Sequence, residues 1–231
     1  MVYVQKVLAL MKICVIIPAY NESLHIAALV DQIKSMKLDV LVIDDGSQDN
    51  TAAIAREHGA VVLRNEANQG KGASLKKGFD YTLKGDFDAA VALDGDGQHL
   101  PEEIAHFINL AQKSSAAIFV GNRMDNSRNM PLDRYLTNKF MSWLISLVAG
   151  QRVPDTQCGY RLIKRELLDK FDLHTANYEI ESEMLIQAAR RGAKIDSVLI
   201  KAVYNGTKSQ INPFRDTLRF IRYIFKAAVK K

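Results

Sequence analysis

Ala89-Ala90-Val91-Ala92-Leu93-Asp94-Gly95-Asp96-Gly97-Gln98-His99 is a short apolar run that breaks into two carboxylates spaced by glycines. Such a run, too short for a helix and closed by a glycine turn, reads as a strand buried on both faces. The glycines let the backbone turn tightly enough for side-chain oxygens to converge. Hard oxygen donors of this kind suit Mg²⁺ or Mn²⁺, with diphosphate and water filling the remaining positions. Asp-Gly pairs also occur in plain turns and in calcium loops. A calcium loop starting at Asp94 would need its bidentate Glu where the chain has Ala105, which argues against that alternative.

On either side the same grammar repeats. Apolar runs at Ile13 to Ile17, Val40 to Ile43, Ala60 to Leu63 and Ala117 to Val120 alternate with stretches of helical period at Ser23 to Met36, Asn50 to His58, Ala73 to Leu83 and Pro101 to Gln112. This predicts an α/β fold, a mostly parallel sheet with helices on both faces. Ligands of such sheets sit beyond the carboxyl ends of the strands. There the sequence places Pro18-Ala19-Tyr20-Asn21-Glu22 and Asp44-Asp45-Gly46-Ser47, an aromatic ring and carboxylates of the kind a nucleoside pocket uses. Taken singly these turns are also helix caps, with Asn21 or Ser23 starting one helix and Asp49 or Asn50 the next. Asn68-Gln69-Gly70-Lys71-Gly72 lacks the Gly-Lys-Ser/Thr ending of a Walker loop, yet a glycine-rich helix start with one Lys suits an anionic ligand. Past Gly121 the alternation stops. A polar loop, a helix at Leu132 to Ala149, a loop holding Asp155-Thr156-Gln157-Cys158-Gly159, a helix at Ile180 to Arg191 and a strand at Ile195 to Val203 follow.

At 231 residues and 48% hydrophobic content, one domain is expected, with residues 12–121 as its nucleotide half, 122–208 as its acceptor half and 209–231 as a basic tail. The net charge of +5 is uneven: from Lys194 onward nine Lys/Arg face two Asp, leaving −2 for residues 1–193. Phe214, Leu218, Ile221 and Phe225 recur at helical spacing beside Arg215, Arg219, Arg222 and Lys226, the composition of a helix lying in a headgroup layer or packed on its own domain. Cys14 and Cys158 carry no metal-ligand spacing and read as free thiols of a reducing compartment. The apolar start is interrupted by Lys12 and is not a convincing signal peptide; Met11 is a candidate natural start. Phe140 to Gly150 is about half the length a spanning helix requires. Around Trp143 that stretch suits a lipid groove and a core equally.

The ordered set of motifs resembles glycosyltransferase family 2 with the A-type nucleotide-sugar fold, in its dolichol-phosphate mannosyltransferase-like branch. The matching pieces are Ile16 to Glu22, Val42 to Asp49, Asn68 to Ala73, Leu93 to His99, Gly121 to Arg123 and Asp155 to Arg161. The resemblance implies that Pro18, Tyr20, Glu22, Ile43 and Asp45 hold the nucleoside of a GDP- or UDP-sugar. It implies that Asp94, Asp96 and Gln98 hold Mg²⁺ or Mn²⁺ and the diphosphate, with Lys71, Gly95, Arg123 and Lys208 completing the donor site. Asp96 and Arg123 would act in catalysis. Arg123, Arg134 and Asn138 would face the phosphate of a polyprenyl acceptor, although that branch has Ser where this chain has Asn138. Ala202, with Lys201 beside it, stands where an arginine is usual. An inverting transfer at the cytoplasmic face of a membrane is therefore expected, with peripheral contact through residues 213–229 and no nucleic-acid partner. If the acceptor is instead a saccharide or protein hydroxyl, a carboxylate must take its proton, and Glu181 or Glu183 is the candidate; both also read as a helix start favoured by the dipole. More distant alternatives are a nucleotidyltransferase, which would carry a Gly-rich basic loop where this chain has Pro18 to Glu22, and a non-catalytic binding module.

Overall fold

The run Ile13-Cys14-Val15-Ile16-Ile17 is almost wholly shielded from solvent, as a strand covered on both faces must be. It forms the middle of β1 (Ile13–Ala19) in the computed structural model, which describes residues 11–127, 130–201, 219–220 and 223–224. Then come α1 (Ile26–Ser35), β2 (Asp39–Asp44), α2 (Thr51–Glu57), β3 (Val61–Arg64), α3 (Lys71–Lys84), β4 (Ala89–Ala92), α4 (Ile104–Lys113), β5 (Ile118–Asn122) and α5 (Leu132–Ala149). The described chain continues through β6 (Arg161–Lys164), α6 (Arg165–Leu168), α7 (Ile180–Arg190) and β7 (Ile195–Leu199). The strands form one seven-stranded sheet in the order β3-β2-β1-β4-β6-β5-β7. β1 pairs in parallel with β2 and β4, β2 with β3, and β5 with β7, whereas β6 runs antiparallel to both its neighbours.

β6 is the element the sequence pattern does not announce. Its four residues are Arg-Leu-Ile-Lys, and a charged residue at each end reads as loop. Arg161 is nevertheless completely buried. Its guanidinium donates to the carbonyls of Cys158 (2.9 Å), Thr156 (2.8 Å) and Glu181, so the charge enters the core with its donors satisfied. Arg161 thereby ties the 156–158 loop and the start of α7 to the sheet.

One helix start moves. α1 begins at Ile26, and neither Asn21 nor Ser23 caps it, because the N–H groups of residues 21–23 are drawn sideways to the turn after β2. Asp49 accepts the Thr51 N–H at 3.0 Å and so does serve the start of α2. In the tail, the described residues Phe220 and Ile224 are helical and buried against the core, as expected of a helix packed on its own domain. Phe214, Leu218, Ile221 and Phe225 lie outside the described residues.

Candidate active site

The turns after β1 and β2 are laced together. Asn21 takes a left-handed conformation, φ 58°, which Asn tolerates better than most residues. That bend lets the Asn21 N–H donate to Ser47 Oγ (2.9 Å) while Asn21 Oδ1 accepts the Gln48 N–H (2.8 Å). The Glu22 N–H donates to Thr51 Oγ1 at 2.8 Å, and the Asp45 N–H to the Ala19 carbonyl at 2.8 Å. Asp45 is buried and its carboxylate accepts from Asn65 Nδ2 (2.8 Å), the Gln69 N–H (3.0 Å) and the Gly70 N–H (2.8 Å). A carboxylate offers about four acceptor sites, so three are used in anchoring the loop that leads into α3. Ile43 is fully buried in the core, which leaves only its main chain for a ligand. Pro18 and Tyr20 are half-buried at the rim of the same turn.

The loop held by Asp45 delivers Lys71 to the turn after β4. Lys71 Nζ lies between Asp94 Oδ1 and Glu181 Oε1, the latter at 2.6 Å. Burial opposes its charge, but the two carboxylates more than offset this and raise its pKa. Burial alone would raise Asp94 too; the Lys71 charge instead holds it down at about 2. The Asp94 N–H donates to His99 Nδ1 at 3.2 Å, which places the histidine proton on Nε2, 3.9 Å from Cys158 Sγ. Buried this way, His99 is pushed down to about 4 and stays neutral. A Cβ on Gly95 would lie 3.3 Å from the Pro18 carbonyl and 3.4 Å from Glu22 Cγ, so the β4 turn rests directly on the β1 turn. Burial, followed by Asp96 and Asp94, raises the Glu22 carboxyl to about 7, and burial with Asp94 also raises Asp96.

This crowding of negative charge suits a divalent cation. Among the described residues no three His, Cys, Asp or Glu side chains converge as a closed metal cage. Asp94 and Asp96, with Gln98 beside them, fit an ion that takes the rest of its oxygen shell from a ligand and water, as Mg²⁺ commonly does.

The opposite flank is organised by Asp155. Arg123 Nε and Nη2 donate to its two oxygens at 2.7 and 2.9 Å, and the Arg123 N–H adds a third bond at 3.1 Å. Both residues are buried, and this paired geometry fixes the guanidinium plane. Arg134 and Asn138 stand one turn apart on α5. Asn138 is buried with its amide against Met130 Sδ at 3.9 Å, and Arg134 is half-buried. The two candidate bases separate: Glu181 joins Lys71 at the β4 turn, whereas Glu183 accepts the His174 and Thr175 N–H groups (3.0 and 2.9 Å) and the Thr175 hydroxyl (2.6 Å). Glu183 is a clamp on its preceding loop. Lys208 and Ala202 lie outside the described residues; Lys201 is exposed and its N–H meets Glu103 at 3.3 Å. Sequence reasoning assigned no role to Asp155 or Arg161, although both stand in a motif it singled out. An acid and a base flanking a loop were the available signal.

A mostly parallel sheet with laced turns after β1 and β2 and a carboxylate turn after β4 defines a glycosyltransferase of the A-type fold. The chain belongs to glycosyl transferase family 2, whose model matches residues 14–172. It is 32% identical over 215 residues to the UDP-N-acetylglucosamine–dolichyl-phosphate N-acetylglucosaminyltransferase of Methanococcus voltae, covering 83% of this chain and 86% of that protein. It is 30% identical over 200 residues to the polyprenol monophosphomannose synthase of Mycolicibacterium smegmatis, covering 80% of this chain and 75% of that one. Glucosyl-3-phosphoglycerate synthase of Mycobacterium tuberculosis, solved with Mn²⁺, UDP and glucosyl-3-phosphoglycerate, superposes with a TM-score of 0.72 at 19% identity over 97% of this chain and 81% of that one. That likeness establishes the fold. The protein is a sugar-transferring enzyme.

Proposed function

We propose that the enzyme moves a sugar, with inversion, from a GDP- or UDP-sugar to a polyprenyl phosphate at the cytoplasmic surface of a membrane. The observation that carries the acceptor is the state of the two candidate bases. Glu183 is consumed by three hydrogen bonds from its own loop, and Glu181 is ion-paired to Lys71. A hydroxyl acceptor needs a carboxylate free to take its proton, whereas a phosphate is already an anion and needs none. The names of the two relatives above support the same choice. Two buried, unpaired thiols suit a reducing compartment.

In this reading the nucleoside sits over the laced turns at Pro18 to Glu22 and Asp45, and the diphosphate lies at the β4 turn beside Lys71. Asp94, Asp96 and Gln98 would hold Mg²⁺ or Mn²⁺, which would neutralise charge developing on the departing nucleotide diphosphate. Lys71 supplies a fixed cation there from the protein itself. Arg123, oriented by Asp155, faces the acceptor phosphate together with Arg134 and Asn138, so the attacking oxygen is aimed by guanidinium groups. The test is nucleotide release from a panel of nucleotide sugars with Mn²⁺, with and without polyprenyl phosphate. Release that is stimulated by simple saccharides and indifferent to polyprenyl phosphate would overturn the acceptor assignment.

A further inference from the structure

Helix α5 buries Ile145 in the core yet keeps a second apolar face outside. Leu132, Leu136, Phe140, Trp143 and Leu147 are 71%, 55%, 60%, 60% and 67% exposed, while Asn138 and Ser142 are buried. At 3.6 residues per turn the five exposed side chains fall within an arc of about 80°, a continuous apolar stripe along the 18-residue helix. The polar side is inward for a reason: Ser142 Oγ accepts the Thr156 N–H (2.9 Å) and Ser146 Oγ the Val153 N–H (3.0 Å), fastening α5 to the loop that holds Asp155. Outside, Phe140 and Trp143 form a tilted ring pair with centroids 6.0 Å apart.

We propose that this stripe is the surface by which the enzyme docks on an anionic lipid bilayer. Charge selects the occupant. The exposed Lys139 and Arg152 against the exposed Asp133 give this face of residues 131–152 a net +1, which favours anionic headgroups over a second copy of the same face. Trp143 and the exposed Lys139 suit the headgroup boundary, where an indole ring and a long cationic chain both find an apolar and a wet side. No helix among the described residues is long and apolar enough to cross a membrane, so α5 lies in the interface. Arg134 and Asn138 stand on the inward side of the same helix, so docking holds the proposed phosphate-binding side about one helix width from the lipid surface. The relevance of that closeness rests on the lipid-phosphate reading; the docking itself does not.

Trp143 is the single tryptophan, so its fluorescence reports this face alone. The full chain is mixed with vesicles of equal parts phosphatidylcholine and phosphatidylglycerol, free of polyprenyl phosphate. Expected are a blue shift, quenching by brominated acyl chains, and co-sedimentation that falls at least about 10-fold in the double variant Leu136→Glu/Phe140→Glu. Both positions are exposed, and an unchanged melting temperature verifies the fold. Emission that ignores vesicles, a double variant that sediments like the parent, or a blue emission already present without lipid, from self-association or chain folding back, would each overturn docking. A protein that binds vesicles yet transfers no sugar to polyprenyl phosphate would overturn only the acceptor reading.

Discussion

Gly159→Ala tests the centre of the site with a single methyl group. Gly159 is buried and its φ is not in the left-handed region, so alanine is compatible with its backbone and slightly restricts the unfolded chain. The added Cβ would lie 2.7 Å from Lys71 Nζ and 2.8 Å from Asp94 Oδ2, where ordinary contact begins at 3.4 Å. The ammonium and the carboxylate must therefore retreat by about 0.6–0.7 Å. Lys71 is long and yields at small cost; Asp94 is short and shifts with its turn. A misplacement of about 1 Å at reacting groups costs on the order of 100-fold, so kcat/KM for the nucleotide sugar should fall roughly 30- to 100-fold. The melting temperature should move by no more than a few degrees, since the obstruction meets side-chain tips. Nucleotide release under saturating Mn²⁺ measures the first quantity and thermal denaturation the second. A folded variant within about 3-fold of the parent would refute the placement of the diphosphate beside the Lys71–Asp94 pair.

Three further outcomes follow from the same geometry. Asp96→Ala should keep the fold and lose metal-dependent turnover by at least about 100-fold, and parent activity that persists undiminished in chelator would contradict the metal assignment. Glu183→Ala strands three donors of the 174–175 loop and should cost about 2–4 kcal/mol, a drop of roughly 5–15 °C in melting temperature, while residual activity at low temperature survives; a base would show the reverse, intact stability with turnover gone. His99 titrates at about 4 when folded against 6.5 when free, so between those pH values the unfolded chain binds the extra proton and the native chain does not. Stability should therefore fall as pH drops from about 6.5 to about 4, by an amount on the order of 3 kcal/mol, and His99→Gln should flatten that decline in denaturant titrations.

The first half of the chain was legible because parallel strands buried on both faces must be apolar throughout and their turns must carry the polar groups. Ile13 to Ile17 and Ala89 to Leu93 could hardly be anything else, and the order of the turns then set the candidate site. The second half obeys a different rule. Arg161 in β6 is buried because three carbonyls meet its guanidinium, a fact of tertiary geometry that leaves no periodic trace in sequence. The helix at Leu132 to Ala149 was readable as a helix but not as to which face points inward, since the apolar residues around Trp143 suit a lipid groove and a core equally.

The exposed stripe is the informative feature. Local rules are broken where something else compensates, and here Ser142, Ser146 and Asn138 have buried partners while five large apolar side chains of the same helix are more than half exposed. An enzyme that handled only soluble substrates would gain stability and solubility by exchanging Leu136 or Phe140 for Lys or Glu, at no cost to the hydrogen bonds on the opposite face. Leu136 and Phe140 share a helix with Arg134, and that helix is fastened to the loop of Asp155, which connects the proposed lipid-facing stripe to the proposed acceptor side. A sugar acceptor held in a bilayer would bring its phosphate to the enzyme at the surface and no deeper. The helix proposed to aim the phosphate would then be the helix that also meets the lipid.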